Sequence, residues 1–168
     1  MPEQKSVRLA IVGCGGFSST TVLPSLKYTT GIEMVAACDI EEEKARRWAG
    51  QFANIPVYTD MDTMLDAEAP DGVFVIGPGP MQYEVGKHVV SRGFHIHTEK
   101  PNANYSHQAQ EMADMAAEKG VITSVGFMKR ASAAYMAAKS LTRREGFGPV
   151  RTFEVTEVLR LIAGAVAF

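Results

Sequence analysis

Short apolar runs alternate along most of this chain with stretches whose apolar residues recur at helical spacing. Residues 72–76 form a continuous apolar run, which is typical of a strand covered on both faces of a sheet. Ser106–Lys119 carries one apolar stripe and is followed by Gly120, a common helix stop. The pattern predicts strands over residues 7–12, 32–38, 57–58, 72–76, 94–98 and 121–125, and the last of these is expected to be buried. It predicts helices over residues 41–52, 60–67, 81–92 and 106–119.

This alternation implies an α/β fold with a doubly wound parallel sheet and right-handed crossovers. We expect the sheet to occupy residues 6–126. Pro24 falls within the first helix and is expected to kink it or to end its first segment, because proline has no backbone N–H.

The pattern changes after Phe127. A helix is predicted over residues 133–144, and apolar and polar residues alternate over residues 150–158, as in a strand. The remaining ten residues are mostly apolar and need cover. We therefore expect a first domain over residues 1–128 and, over residues 129–168, the start of a truncated second α+β domain.

Composition narrows the class of protein only a little. The 168 residues are 46% hydrophobic and carry a net charge of −2, which gives no electrostatic reason to expect nucleic acid or a membrane as partner. The first residues do not resemble a secretory signal, and no apolar run approaches the roughly 18 residues of a membrane span. The two cysteines, Cys14 and Cys38, are expected to be reduced thiols in a cytoplasmic protein.

A glycine-rich turn follows the first predicted strand directly. It reads Gly13-Cys14-Gly15-Gly16-Phe17-Ser18, and Ser18 occupies the place of a third small residue. The first glycine allows a tight turn, the second lets the backbone approach a pyrophosphate, and the helix that follows aims its free N–H groups at the phosphates. The turn therefore predicts dinucleotide binding, although an ordinary strand-to-helix turn is the alternative.

An acidic residue, Asp39, ends the second predicted strand. A carboxylate in this place binds the ribose hydroxyls of a dinucleotide, and it also caps a helix that starts near Glu41; the two roles are compatible. Because a carboxylate repels a 2′-phosphate and no arginine follows at once, Asp39 favours NAD over NADP.

Two later turns lie on the same carboxyl edge of the predicted sheet. Gly77 and Pro78 follow the fourth strand, where they predict either cofactor contact or merely a stiff turn. Glu99-Lys100-Pro101 follows the fifth strand. His95 and His97 alternate on that strand, but no third ligand accompanies them, so no metal site is predicted.

The Glu-Lys-Pro motif, placed after the glycine turn and Asp39, resembles the Gfo/Idh/MocA family of oxidoreductases. Residues 125–130 and 146–150 are also similar to stretches of that family. The resemblance implies that Lys100 lies between nicotinamide and substrate and assists proton movement, that Glu99 contacts the cofactor or holds Lys100, and that Pro101 fixes the turn. The cofactor-binding residues it implies are Gly13, Gly15, Gly16, Phe17, Ser18, Asp39, Gly77, Pro78, Glu99, Lys100 and Pro101.

The resemblance implies an NAD-dependent dehydrogenase that transfers a hydride between nicotinamide and a sugar, inositol or similar polyol. Members of the family commonly carry an Asp-x-x-x-His pair in a second domain, whereas all four histidines here, at positions 88, 95, 97 and 107, lie in the first. We therefore expect an incomplete active site in this chain alone. The alternative is a non-catalytic nucleotide-binding module, or a fragment that pairs with another chain, including a homo-oligomer through the C-terminal strand.

Overall fold

The computed structural model describes residues 5–53 and 55–156. The chain divides into two compact units, residues 1–127 and residues 128–168. The strands of the first unit are β1 Val7–Val12, β2 Ile32–Cys38, β3 Val57–Tyr58, β4 Gly72–Val75, β5 His95–Thr98 and β6 Thr123–Val125. Its helices are α1 Leu23–Tyr28, α2 Glu42–Ala49, α3 Met61–Glu68, α4 Gly79–Ser91 and α5 Ser106–Lys119.

All six strands are parallel and lie in the order β3-β2-β1-β4-β5-β6. The chain therefore winds outward from β1 in one direction and then returns to its other side at β4, so the doubly wound α/β prediction is confirmed. Val12 at the end of β1 is in register with Cys38 on one side and Val75 on the other. Ligands of such sheets bind beyond this reversal, at the carboxyl ends of the strands.

Alternation along the central strands fills two separate hydrophobic layers. Ala10 and Val12 of β1 belong to one layer, in which Met64 of α3 and Val89 of α4 are fully buried. Ile11 points to the opposite layer, which contains Trp48 of α2. The sheet is thus covered on both faces near β1, as its apolar sequence predicts.

The first helix changes its hydrogen-bonding pattern just ahead of Pro24. A π-helical segment, Ser18–Val22, runs directly into α1, and Pro24 lies in the first turn of α1. The backbone is helical on both sides of this junction, so Pro24 does not end the helix, and a kink there stays a prediction.

Two predictions about the later strands are wrong in part. β6 begins at Thr123 instead of Val121 and is mostly exposed, not buried, because it is the edge strand of the sheet. Residues 150–156 form no strand. The alternation of apolar and polar residues gives this segment an amphipathic pattern, but a strand also needs a neighbouring strand with which to form hydrogen bonds. Residues 157 and 158 of that predicted run, and the apolar residues 159–168, lie outside the described residues.

The second unit contains a short 3₁₀ turn, Met128–Ala131, and the helix α6, Ala133–Thr142, within its described part. The helix ends two residues before the predicted limit. The assignment of this unit to a substrate or oligomerisation domain stays a prediction. No helix within residues 5–53 and 55–156 is long and apolar enough to cross a membrane.

Candidate functional site

A cleft of about 530 Å³ opens at the carboxyl edge of the sheet, where the strand order reverses. It is formed by the segments that follow β1, β2, β3 and β4 together with the start of α4. The lining residues are Val12, Gly13, Gly15, Cys38, Asp39, Ile40, Glu41, Lys44, Thr59, Asp60, Met61, Ile76, Gly77, Pro78, Met81 and Val85. The cleft thus brings together the predicted residues Gly13, Gly15, Asp39, Gly77 and Pro78.

Gly13 is the point at which the three central strands meet. Its N–H donates to the carbonyl oxygen of Cys38 at 2.9 Å, and its φ is +96°. A Cβ at this position would lie 1.9 Å from the carbonyl oxygen of Ile76. Only glycine fits here, because any side chain would push the end of β4 away from β1.

Gly15 and Gly16 form an open backbone cradle at the mouth of the cleft. A Cβ added to either would meet no atom within 4 Å. Helical turns run on from Gly16, and the N–H of Ser19 donates to the carbonyl oxygen of Gly15 at 3.0 Å. The backbone N–H groups that come before Ser19 at the start of this helix have no acceptor within the helix, so they are free to bind an anion such as a diphosphate.

Phe17 and Ser18 do not line the cleft. Phe17 is partly exposed, whereas Ser18 is fully buried and its hydroxyl has no hydrogen-bond partner within the described residues. The burial of Ser18 agrees with the small residue expected there, and contact of Phe17 or Ser18 with the cofactor stays a prediction.

The Asp39 carboxylate ties the glycine turn to the start of α2. One oxygen accepts the N–H of Cys14 at 2.8 Å, and the other accepts the N–H of Glu41 at 2.9 Å. Glu41 is the N-cap of α2, so Asp39 bonds just ahead of the helix. Since each carboxylate oxygen can accept a second hydrogen bond, this geometry leaves room for a ribose hydroxyl as well.

The cleft also contains apolar residues that sequence reasoning missed. Ile40 is 90% exposed although it is aliphatic, and the lining also contains Met61 and Ile76. Met81 and Val85 are one helical turn apart on α4 and face the same cleft. That four-residue spacing, and an isoleucine directly after the predicted ribose acid, are the signals that could have found them.

Charged residues lie at one side of the cleft. Three carboxylates, those of Asp39, Glu41 and Asp60, accompany the single ammonium of Lys44 in the lining. Lys44 Nζ contacts Glu41 Oε1 at 2.5 Å, and this hydrogen bond raises the pKa of Lys44. Asp60 accepts hydrogen bonds from the backbone and the hydroxyl of Thr63, which lower the pKa of Asp60.

The Glu99-Lys100-Pro101 turn lies on the same edge of the sheet but does not line this cleft. Glu99 Oε2 accepts the backbone N–H of Lys100 at 3.2 Å, and the Lys100–Pro101 bond is cis. Gln82, buried on α4, donates from Nε2 to the carbonyl oxygen of Pro101 at 3.3 Å. The Lys100 side chain is exposed, and its ammonium makes no hydrogen bond or ion pair with another described residue.

Both cysteines are free, and both are buried beside the glycine turn. The Cys14 thiol donates to the carbonyl oxygen of Cys38 at 3.6 Å. Burial, followed by the negative field of Asp39, raises the pKa of Cys14 to about 12 and that of Cys38 to about 11. These thiols stay protonated near neutral pH and are therefore poor nucleophiles.

The two histidines of β5 bond locally. His95 Nδ1 accepts the N–H of Ile122 at 3.0 Å, and His97 Nδ1 lies 3.3 Å from the hydroxyl of Ser124. Burial lowers the pKa of His97. Within residues 5–53 and 55–156, no three side chains of ligand type are placed to hold a metal ion.

Comparison with known proteins places this site in a family. A family model described as an oxidoreductase family with an NAD-binding Rossmann fold, GFO_IDH_MocA, matches residues 7–127. The D-glucoside 3-dehydrogenase of Escherichia coli (strain K12) is 32% identical over 124 residues, which cover 74% of this chain and 35% of that protein. An inositol 2-dehydrogenase of Streptomyces avermitilis is 28% identical over 134 residues, 79% of this chain and 39% of that protein.

Solved structures give the same result. A dehydrogenase from Chromobacterium violaceum superposes with a TM-score of 0.82 at 28% identity, over 86% of this chain and 42% of that one. A myo-inositol 2-dehydrogenase from Lactobacillus plantarum gives 0.73 at 27% identity, over 82% of this chain and 41% of that one. The chain thus spans less than half the length of these relatives.

Replacing Gly13 with alanine should destabilise the first unit severely. The added Cβ meets the Ile76 carbonyl at 1.9 Å, so we expect a loss of about 3 kcal/mol or more in the free energy of unfolding, measured by urea titration. Gly31→Ala is the matched control, because Gly31 also has a positive φ, +79°, but open space around it, and should lose only about 1 kcal/mol. Equal losses in the two variants would contradict the steric argument.

Alkaline pH should destabilise the protein through its two thiols. Unfolded thiols ionise near their ordinary pKa of 9.0, whereas the folded ones do so only at about 12 and about 11. The folded state therefore binds more protons above pH 9, and its stability falls as pH rises, by about 1.4 kcal/mol per thiol for each pH unit. Urea titrations across this pH range should give a smaller loss of stability for Cys14→Ser/Cys38→Ser than for the wild type. Parallel pH profiles for the two proteins would show that the thiols do not cause the loss.

Proposed function

This chain belongs to the Gfo/Idh/MocA family of oxidoreductases, and we propose that it binds NAD in the cleft at the strand reversal. The bound NAD serves hydride transfer between nicotinamide and a sugar, inositol or similar polyol. The observation that carries this proposal is the combination of the open Gly15 cradle and the Asp39 carboxylate on two neighbouring strand ends. The names of the related glucoside and inositol dehydrogenases support the substrate class.

The cleft and the turn beside it have suitable groups for the diphosphate, ribose and adenine parts of the cofactor. The amides of Gly15 and Gly16 would hold the diphosphate, and the remaining acceptor sites of Asp39 would bind the ribose hydroxyls. Ile40 and Met61 supply apolar contact for the adenine ring. The three carboxylates in the lining oppose a 2′-phosphate, so NAD is preferred to NADP.

Lys100 is the proposed catalytic residue. Bound NAD would supply the hydride acceptor or donor, and the Lys100 ammonium would hold the reacting oxygen of the substrate and move a proton at Nζ. Glu99 fixes the backbone of Lys100, and Gln82 fixes that of Pro101, so the lysine projects from a supported turn. A cytoplasmic location, suggested by two unpaired cysteines, stays a prediction.

Isothermal titration with NAD and NADP tests the cofactor proposal. Wild-type protein should bind NAD more tightly than NADP, and Asp39→Asn should weaken NAD binding about tenfold, because a hydrogen bond to a charged acceptor contributes about 1.5–3 kcal/mol. Asp71→Asn is the matched control, since Asp71 accepts the N–H of Arg8 at 2.7 Å beside the amino end of β4, away from the cleft. If neither dinucleotide binds, or the two variants behave alike, the proposal is wrong.

NADH formation from inositols and simple sugars tests the role of Lys100. With any substrate that the wild-type protein oxidises, Lys100→Gln should lower the rate by about a hundredfold or more, as expected for loss of a positioned acid–base group. Lys119→Gln, at the exposed end of α5, is the control for loss of one positive charge. A fully active Lys100→Gln variant would contradict the role. NAD binding without any turnover would favour the non-catalytic nucleotide-binding module.

A further inference from the structure

Lys44 is the only basic side chain among the described residues that line the cleft. It projects from the first turn of α2, which begins three residues after Asp39. A 2′-phosphate carries close to two negative charges, so a cation beside the ribose acid is the group that would compensate it. Lys44 is therefore the natural partner for NADP in this cleft, provided that its ammonium is free.

The ammonium of Lys44 is not free. Its Nζ contacts Glu41 Oε1 at 2.5 Å, although both side chains are partly exposed, 43% for Lys44 and 60% for Glu41. The hydrogen bond to Glu41, with a smaller effect of the negative field of Asp39, raises the pKa of Lys44 above its ordinary value.

The position of Glu41 is set by the ribose acid itself. The backbone N–H of Glu41 donates to Asp39 Oδ1 at 2.9 Å, and the other oxygen of Asp39 accepts the N–H of Cys14 in the glycine turn. A continuous series of bonds therefore runs from the glycine turn through Asp39 and Glu41 to Lys44. Glu41 lies in the lining of the cleft, together with Asp39 and Lys44.

The other glutamates of α2 differ from Glu41. Glu42 pairs with Arg46 and Glu43 pairs with Arg47, each one helical turn along the exposed surface, and none of these four residues lines the cleft. Glu41 is thus the one acid of this helix start whose pairing affects a cation inside the cleft.

We propose that Glu41 is a cofactor-specificity residue, which withholds Lys44 from a 2′-phosphate and so adds to the rejection of NADP by Asp39. The inference rests on the proposed NAD function of the cleft. Removing the Glu41 charge has two effects, and both favour the binding of NADP. One carboxylate that repels the 2′-phosphate is lost, and the Lys44 ammonium is released. Selectivity for NAD is then shared by two acids, and one of them acts through a lysine.

The test is the ratio of the dissociation constants for NADP and NAD, measured by isothermal titration at low ionic strength. Glu41→Gln keeps the size of the side chain and should lower this ratio about fivefold, the effect expected for exposed unit charges about 4 Å apart in water-like surroundings. Adding Lys44→Gln to Glu41→Gln should cancel most of this gain. At high salt the gain should shrink, because screening weakens exposed charges.

Glu42→Gln is the matched control, since it removes the same charge from the same helix outside the cleft. If Glu41→Gln and Glu42→Gln change the ratio equally, the role of Glu41 is overturned while NAD binding stands. If the double variant retains the full gain, the proposal that Glu41 acts by withholding Lys44 is overturned. If the wild-type protein binds both dinucleotides equally, the inference also fails. If it binds neither, the proposed cofactor site itself is wrong.

Discussion

The close approach of Gly13 to Ile76 is the constraint on which the arrangement of this site depends. The ends of β1, β2 and β4 converge there: Gly13 bonds to the carbonyl of Cys38, and its Cα faces the carbonyl of Ile76 with no room for a side chain. Because the three strand ends are held at this distance, the turns that follow them open into one common cleft. The chemistry of the site is thus set by backbone packing before any side chain contributes.

Asp39 extends this arrangement from the backbone to the charges of the cleft. Its two oxygens bind the amides of Cys14 and Glu41, so the carboxylate is oriented by the structure around it and does not depend on a ligand for its position. The same bonds place Glu41 against Lys44. The fold therefore presents a pre-formed arrangement of charges at the edge of the cleft.

The sequence predicts the central part of the fold well, because β1, β2 and α5 carry strong local signals and fall at their predicted limits. The glycine turn and Asp39 follow from those strands. That Lys44 of α2 and Met81 of α4 line one cleft could not be predicted, since they come from separate segments that only tertiary packing brings together. The sequence predicts neither the exposure of β6 nor the absence of a strand over residues 150–156, for a related reason. Whether a segment forms a buried strand depends on the strand beside it, and the alternation of apolar and polar residues does not identify that neighbour.

Helix α4 contacts both parts of the site. Met81 and Val85 contribute to the cleft, while Gln82, directly beside Met81, holds the carbonyl of Pro101 in the turn that bears Lys100. One helix thus contacts both the cleft and the turn that carries Lys100. A change in the position of α4 would therefore move the lining of the cleft and the support of that turn together.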